Sequence, residues 1–154
     1  MTKTDFTRRV TAMTKTLYRV SYGLLRREAD REDAVQEAIL RAWEKLPSLR
    51  QERYFETWLI RILINACRDI GRKSLPVVSM DEAPEPSAPP ESHSLRDAVL
   101  ALPEELRLVV MLHHVEGYGV GETAALLDIP VGTVKSRLYR ARSILKHELE
   151  EEAT

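Results

Sequence analysis

The sequence predicts an all-α protein built as two small helical domains joined by a flexible acidic linker. Three observations predict it. Apolar residues recur at helical spacing over most of the chain. Aromatic residues are sparse, 6% against 44% hydrophobic overall, which suits helix packing better than a β-sandwich. Between two periodic stretches, 74-SLPVVSMDEAPEPSAPPESHS-94 holds five of the eight prolines, four carboxylates and no Lys or Arg. Proline removes amide donors and blocks helix, so this stretch reads as an extended tether. The 154 residues thus divide into a domain over 1–73, a linker over 74–94 and a domain over 95–154.

In the first domain one helix is expected from Asp5 to about Arg27, because Val10, Met13, Leu17, Val20 and Leu24 share a face. A second is expected from about Arg31 to Lys45. Ala34, Val35, Ala38, Ile39, Ala42 and Trp43 form its apolar stripe, Asp30 caps it with Asp33 three residues on, and Pro47 stops it. After the polar segment 48-SLRQERYFE-56, a third helix is expected from about Thr57 to Arg72, with Trp58, Leu59, Ile62, Leu63, Ala66 and Ile70 facing the core. Cys67 lies beside that face and reads as an inert core thiol. As the only cysteine, it excludes an intrachain disulfide framework.

In the second domain, Leu95–Ala101 reads as a short helix. Pro103 opens another, with Glu104 and Glu105 in its favourable first turn, and this helix ends near Gly117. No segment reads as a strand; Val77 and Val78 are too few. From Gly119 to Arg142 the spacing is that of a helix-turn-helix: a helix of about two turns carrying the small pair Ala124 and Ala125, a tight turn at 128-DIPVG-132, and a longer helix from about Val131 to Leu149. Val134, Leu138, Ala141 and Leu145 form the buried stripe of the last helix. Lys135, Ser136, Tyr139 and Arg140 lie opposite, flanked by Arg137, Arg142 and Lys146.

Net charge is −1, so any electrostatic function must come from local asymmetry. The last helix supplies it. Lys135, Arg137, Arg140, Arg142 and Lys146 all precede its first carboxylate, Glu148. Such a face can neutralise phosphates, and Lys, Arg and Ser can read base edges in a major groove. Enzymes are disfavoured. No Gly-rich phosphate loop or nucleophile–base signature is present, and the adjacent His113 and His114 point about 100° apart on a helix, so they cannot share a metal on one face. No catalytic residue, metal or cofactor is expected. The N-terminus has no apolar run after its basic residues, and 58-WLIRILINAC-67 is interrupted by Arg61 and too short to span a bilayer. A cytoplasmic protein is expected.

At these residues a resemblance appears. The segment 130-PVGTVKSRLYRAR-142 looks like the recognition helix of the extracytoplasmic-function (ECF) sigma factors, members of the sigma-70 family that serve bacterial RNA polymerase. The segment 102-LPEELRLVVMLHHVEGYGVGETAALLDI-129 resembles the rest of their region 4. In the first domain, 33-DAVQEAILRAWEKL-46 and 56-ETWLIRILINACRDIGRK-73 are similar to the two characteristic helices of region 2. The resemblance covers about residues 8–148, with two motifs in order.

It implies an alternative sigma factor that binds core polymerase, reads −35 and −10 promoter elements and promotes melting. By the same resemblance, Asp33, Gln36, Glu37, Leu40 and Arg41 would grip the β′ clamp helices. From pattern alone, the same residues fit a solvated face. The loop Leu49, Arg50, Gln51, Glu52 and Arg53 would capture a flipped −10 base. Asn65 would lie near the −10 strand, with Arg61, Arg68, Arg72 and Lys73 on the backbone. Unpaired bases do need a pocket with polar edges, and single strands a cationic track. Trp58 reads as core; Tyr54 and Phe55 are open between core and stacking. The −35 element would be read by Lys135, Ser136, Tyr139 and Arg140, with Thr133, Arg137 and Arg142 towards phosphates.

An apolar patch around Val110 and Leu138 would meet the polymerase β flap, and an anti-sigma factor is a further implied partner. The acidic linker fits both a nucleic-acid mimic in a cationic channel and a solvated tether. Three residues depart from the commonest pattern: Gly119, where Ser often caps; Gly121, which costs about 1 kcal/mol against Ala inside a helix; and Asp128, where Gly is frequent. The competing reading is an ordinary helix-turn-helix regulator, which would bind duplex DNA tightly by itself and would not need the region-2 motif.

Overall fold

In a computed structural model, which describes residues 1–74 and 95–152, the chain divides into two compact units, Met1–Glu85 and Pro86–Thr154. Of the expected linker over 74–94, residues 75–94 lie outside the described residues, Val77 and Val78 among them. Among the described residues every regular element is helical.

The first unit opens with a capping box. The Thr2 hydroxyl accepts from the Asp5 amide at 3.1 Å, and the Asp5 carboxylate accepts from the Thr2 amide at 3.3 Å. The single helix expected from Asp5 to Arg27 is in fact two, α1 (Lys3–Ala12) and α2 (Thr14–Tyr22), broken at Met13. Thr11 and Thr14 explain the break. Their hydroxyls donate back to the carbonyls of Thr7 and Val10, a pattern that bends helices, and the Met13 amide bonds three residues back to Val10.

Helix α3 (Glu28–Lys45) starts three residues earlier than its apolar pattern, with Arg27 at the N-cap. The expected Asp30 cap is therefore wrong. Asp30 sits with Glu28 inside the first turn, where carboxylates favour the helix dipole. Arg31 fixes the entry instead, donating to the carbonyls of Leu25 and Arg26 and lying 4.7 Å over the Tyr22 ring. Two 3₁₀ turns, Leu46–Ser48 and Glu52–Tyr54, lead into α4 (Phe55–Ser74), so the helix also takes in Ser74, expected to open the linker.

Ala34, Ala38 and Ala42, one turn apart, let α3 lie close against α4, where Leu59, Leu63 and Ala66 are fully buried. The buried face of α4 is wider than expected. It adds Phe55, Ile60, Ile64 and Cys67, while Trp58 and Ile70 are only half-buried. A stripe two residues broader marks a helix packed from two sides, by α2 and by α3. Trp58 leans at the margin, its ring 5.9 Å from Phe55.

The second unit contains α5 (Leu95–Leu100), α6 (Glu104–Val110), α7 (Val120–Leu127) and α8 (Val131–Glu152). Pro103 is the N-cap of α6, and Arg107 donates to the carbonyls of Leu100 and Leu102, closing α5. Helix α6 widens into a π turn over Met111–Val115 before the chain reverses at Gly117, φ +82°. Leu106, Val109, Leu112, Val134 and Ala141 make the core.

Candidate nucleic-acid and polymerase interface

The turn of the helix-turn-helix is built locally. Gly119 is the N-cap of α7, and its amide donates to the Glu122 carboxylate at 3.2 Å. Asp128 closes α7 in the left-handed region at φ 56°, ψ 49°, a conformation that Asp tolerates better than most residues. The Pro130 carbonyl then accepts from the Thr133 and Val134 amides, starting α8. Of the expected small pair, Ala124 is buried at the crossing and Ala125 faces solvent.

On α8, Val134, Leu138 and Ala141 are buried as expected, and Leu145 half-buried. The opposite face carries Lys135, Ser136, Tyr139 and Arg140, all exposed, with Tyr139 at 70%. Arg142 is exposed beside them and Thr133 half-buried. Among the described residues no ion pair engages Lys135, Arg140 or Arg142. Arg137 differs: it is half-buried, its guanidinium 3.8 Å from the Glu105 carboxylate. The Ser136 hydroxyl donates to the Thr133 carbonyl at 3.1 Å.

Below this helix runs an open apolar groove lined by Leu95, Val110, His114, Leu138, Leu145 and Leu149. The expected pair, Val110 and Leu138, forms its largely buried floor rather than an exposed patch. His114 stands at its edge, its ring 4.8 Å from His113; burial first, then His113 and Arg142, hold its pKa below the ordinary value.

In the first unit, Asp33, Gln36, Glu37 and Leu40 share the face of α3 turned away from the alanines, with Arg41 at its border with the packed side. Leu40 is 58% exposed there. Arg41 is half-buried and bridges two carboxylates, Glu37 on its own helix and Asp69 on α4, each at 3.0 Å. Asp69 also pairs with Arg72. The hydrogen bond from Arg41, ahead of that from Arg72, holds the Asp69 carboxyl below the usual range. Arg61, Asn65, Arg68 and Arg72 line the exposed edge of α4, one turn apart, with Lys73 beyond them.

Arg50, Gln51, Glu52 and Arg53 are exposed in the loop between α3 and α4, while Leu49 is half-buried. The Glu52 carboxylate lies 3.3 Å from the Met1 amino group, and Arg53 stacks 4.8 Å from the Tyr54 ring. The open pair is divided: Phe55 is core at 1% exposure, and Tyr54 projects at 52%. Asp69 and Arg9, which sequence reasoning passed over, join these parts. Asp69 had a local signal, a lone carboxylate three residues before Arg72. Arg9 had none, because its partner is 43 residues away.

Comparison with known proteins identifies the family. Residues 10–74 match the family model for sigma-70 region 2, and residues 92–145 that for sigma-70 region 4. The ECF RNA polymerase sigma factor SigW of Bacillus subtilis is 30% identical, over 86% of this chain and 82% of its own. The ECF RNA polymerase sigma-E factor of Escherichia coli K12 is 34% identical over 79% and 74%. Among solved structures, the sigma factor RpoE of Bartonella quintana, in complex with the anti-sigma factor NepR, superposes with a TM-score of 0.74 at 25% identity, over 95% of this chain and 97% of its own. CnrH, in complex with the cytosolic domain of CnrY, gives 0.73 at 26%, over 97% and 90%. Two sigma-70 regions in order, on a helical scaffold, make this chain a member of the ECF sigma factors: an alternative sigma factor that directs RNA polymerase to promoters.

Proposed function

We propose a division of labour between the units. Residues 1–73 bind the β′ clamp helices through Asp33, Gln36, Glu37, Leu40 and Arg41. The same unit reads and melts the −10 element. The loop Leu49, Arg50, Gln51, Glu52 and Arg53 takes the flipped base; Arg61, Asn65, Arg68, Arg72 and Lys73 track the strand. Residues 95–154 read the −35 element through Lys135, Ser136, Tyr139 and Arg140, with Thr133, Arg137 and Arg142 at phosphates. Residues 74–94 tether the two. The apolar groove over Val110 and Leu138 seats the polymerase β flap. Phosphodiester synthesis belongs to the polymerase, this chain supplying no catalytic group, and it acts in the cytoplasm; among the described residues no helix is long and apolar enough to cross a membrane. An anti-sigma factor is a further partner, as the RpoE–NepR complex suggests.

The observation that carries this reading is the exposed face of α8, Lys135, Tyr139 and Arg140, engaged by no ion pair among the described residues and set on a buried apolar stripe. Promoters substituted base by base at both elements test it. Arg140→Ala should relax discrimination at one or two −35 positions and leave −10 discrimination intact. Equal loss at both elements would contradict the assignment.

A further inference from the structure

The geometry points to Arg9 as a positioning residue that sets the shape of the 49–54 loop. This inference rests on the reading of that loop as the −10 base-capture element. Arg9 lies on α1, remote in sequence from every residue assigned to promoter recognition. Its Nη1 donates to the Glu52 carbonyl at 2.8 Å, and its guanidinium carbon stands 5.5 Å from the centroid of the Phe55 ring.

Both contacts fall where the loop becomes helix. The Glu52 carbonyl also accepts from the Phe55 amide, closing the 3₁₀ turn, so Arg9 holds that turn from outside. Phe55 is buried, packed edge-on against Phe6 at 5.8 Å, and Phe6 in turn lies 5.1 Å from Trp43 near the end of α3. Both ends of the loop are thus referred to α1, through Phe6 and Arg9. Between them, among the described residues, the backbone is held by short local bonds. The Leu49 amide bonds back to Leu46 and the Tyr54 amide to Gln51, while Gln51 itself is extended at φ −134°, ψ 125°.

Arginine suits this position because one planar group donates in its plane and stacks across its face; lysine can supply the charge but not both contacts. The loop residues would then meet an unpaired base from a fixed backbone, instead of ordering it at each encounter.

The test compares four full-length proteins with core polymerase: wild type, Arg9→Ala, Arg9→Lys, and a loop variant with Arg50, Gln51 and Arg53 all changed to Ala. The readout is the ratio of transcription from a cognate promoter to that from −10-substituted promoters, alongside core affinity, −35 discrimination and thermal stability. Arg9→Ala should lower the −10 ratio roughly 3- to 10-fold, as expected for loss of a charge-assisted hydrogen bond, with core affinity and −35 discrimination unchanged. Arg9→Lys should fall between. If Arg9→Ala keeps the ratio while the loop variant loses it, the Arg9 inference fails and the loop reading stands. If the loop variant keeps it too, both fail. Should Arg9→Ala melt early, Arg9→Lys at wild-type stability decides: an unchanged ratio overturns the inference.

Discussion

The two units place the side chains proposed for function by different means. In the second, a single 22-residue helix carries the whole basic face, and a buried stripe of Val134, Leu138 and Ala141 fixes which way it points. In the first, the corresponding residues come from α3, a loop and α4. Their relation depends on ties across the sequence: Arg41 to Asp69 between the helices, and Arg9 to Glu52 across the loop. A site borne on one helix inherits its geometry from helical periodicity. A site assembled from three segments inherits it from packing, so its geometry should yield to substitutions that never touch DNA.

The comparison can be broken most forcefully in the core. Leu63 is fully buried on α4 against α3, and Leu63→Ala should destabilise the first unit by about 2–5 kcal/mol. Chemical denaturation followed by Trp43 and Trp58, both in that unit, reads this directly. The same variant should lose −10 discrimination before it loses −35 discrimination; a loss of both together would contradict separate sites.

Next in size is α8, the proposed recognition helix. Reversing two exposed charges, Lys135→Glu with Arg140→Glu, should reduce transcription from −35-dependent promoters by roughly 100-fold or more, from lost base and phosphate contacts. Because both residues face solvent, the melting temperature should barely move. A large drop in stability would mean that this face is structural.

Gly117 sharpens the comparison on the side of backbone geometry. At φ +82° a Cβ meets strain although no atom lies within 4 Å of it, so Gly117→Ala should cost about 1 kcal/mol. That loss should appear in the unfolding of the second unit and spare the first.

The smallest effect is expected at Asp69. It is partly exposed, and Arg41 keeps Glu37 as a partner, so Asp69→Asn should cost under about 1 kcal/mol at neutral pH. The sign of its pH dependence is fixed. The folded carboxyl has its pKa lowered, chiefly by the hydrogen bond from Arg41 and next by that from Arg72. Its contribution is therefore present above the unfolded pKa and is lost as pH falls through the folded one. Urea melts of wild type and variant should converge in acid. Divergence there would show that Asp69 acts by packing rather than by charge.

How much of this was legible in the sequence follows the same division. The helix-turn-helix, its exposed cations and its buried stripe could be read because helical periodicity determines all three. The break at Met13 was hidden, because Val10, Met13 and Leu17 keep helical spacing through it while threonine hydroxyls interrupt the backbone pattern. The early start of α3 was hidden because its first turn, Glu28 to Arg31, carries only Ala29 among charged residues. Trp58 was assigned to the core by spacing, but its ring lies at the edge of the packed face, and Phe55 takes the buried position. Arg137 shares the helix of its neighbours yet leans towards Glu105, a contact between helices that no periodicity encodes.

The central claim is that this chain confers promoter recognition on RNA polymerase and does not act as an independent DNA-binding regulator. Run-off transcription with purified bacterial core polymerase, with and without the protein, on a pool of promoter fragments tests it most directly. The account predicts protein-dependent transcripts whose start sites share −35-like and −10-like motifs, and no tight duplex binding by the protein alone. Tight binding of duplex DNA by the protein alone, with no new transcripts when it joins the core enzyme, would contradict it.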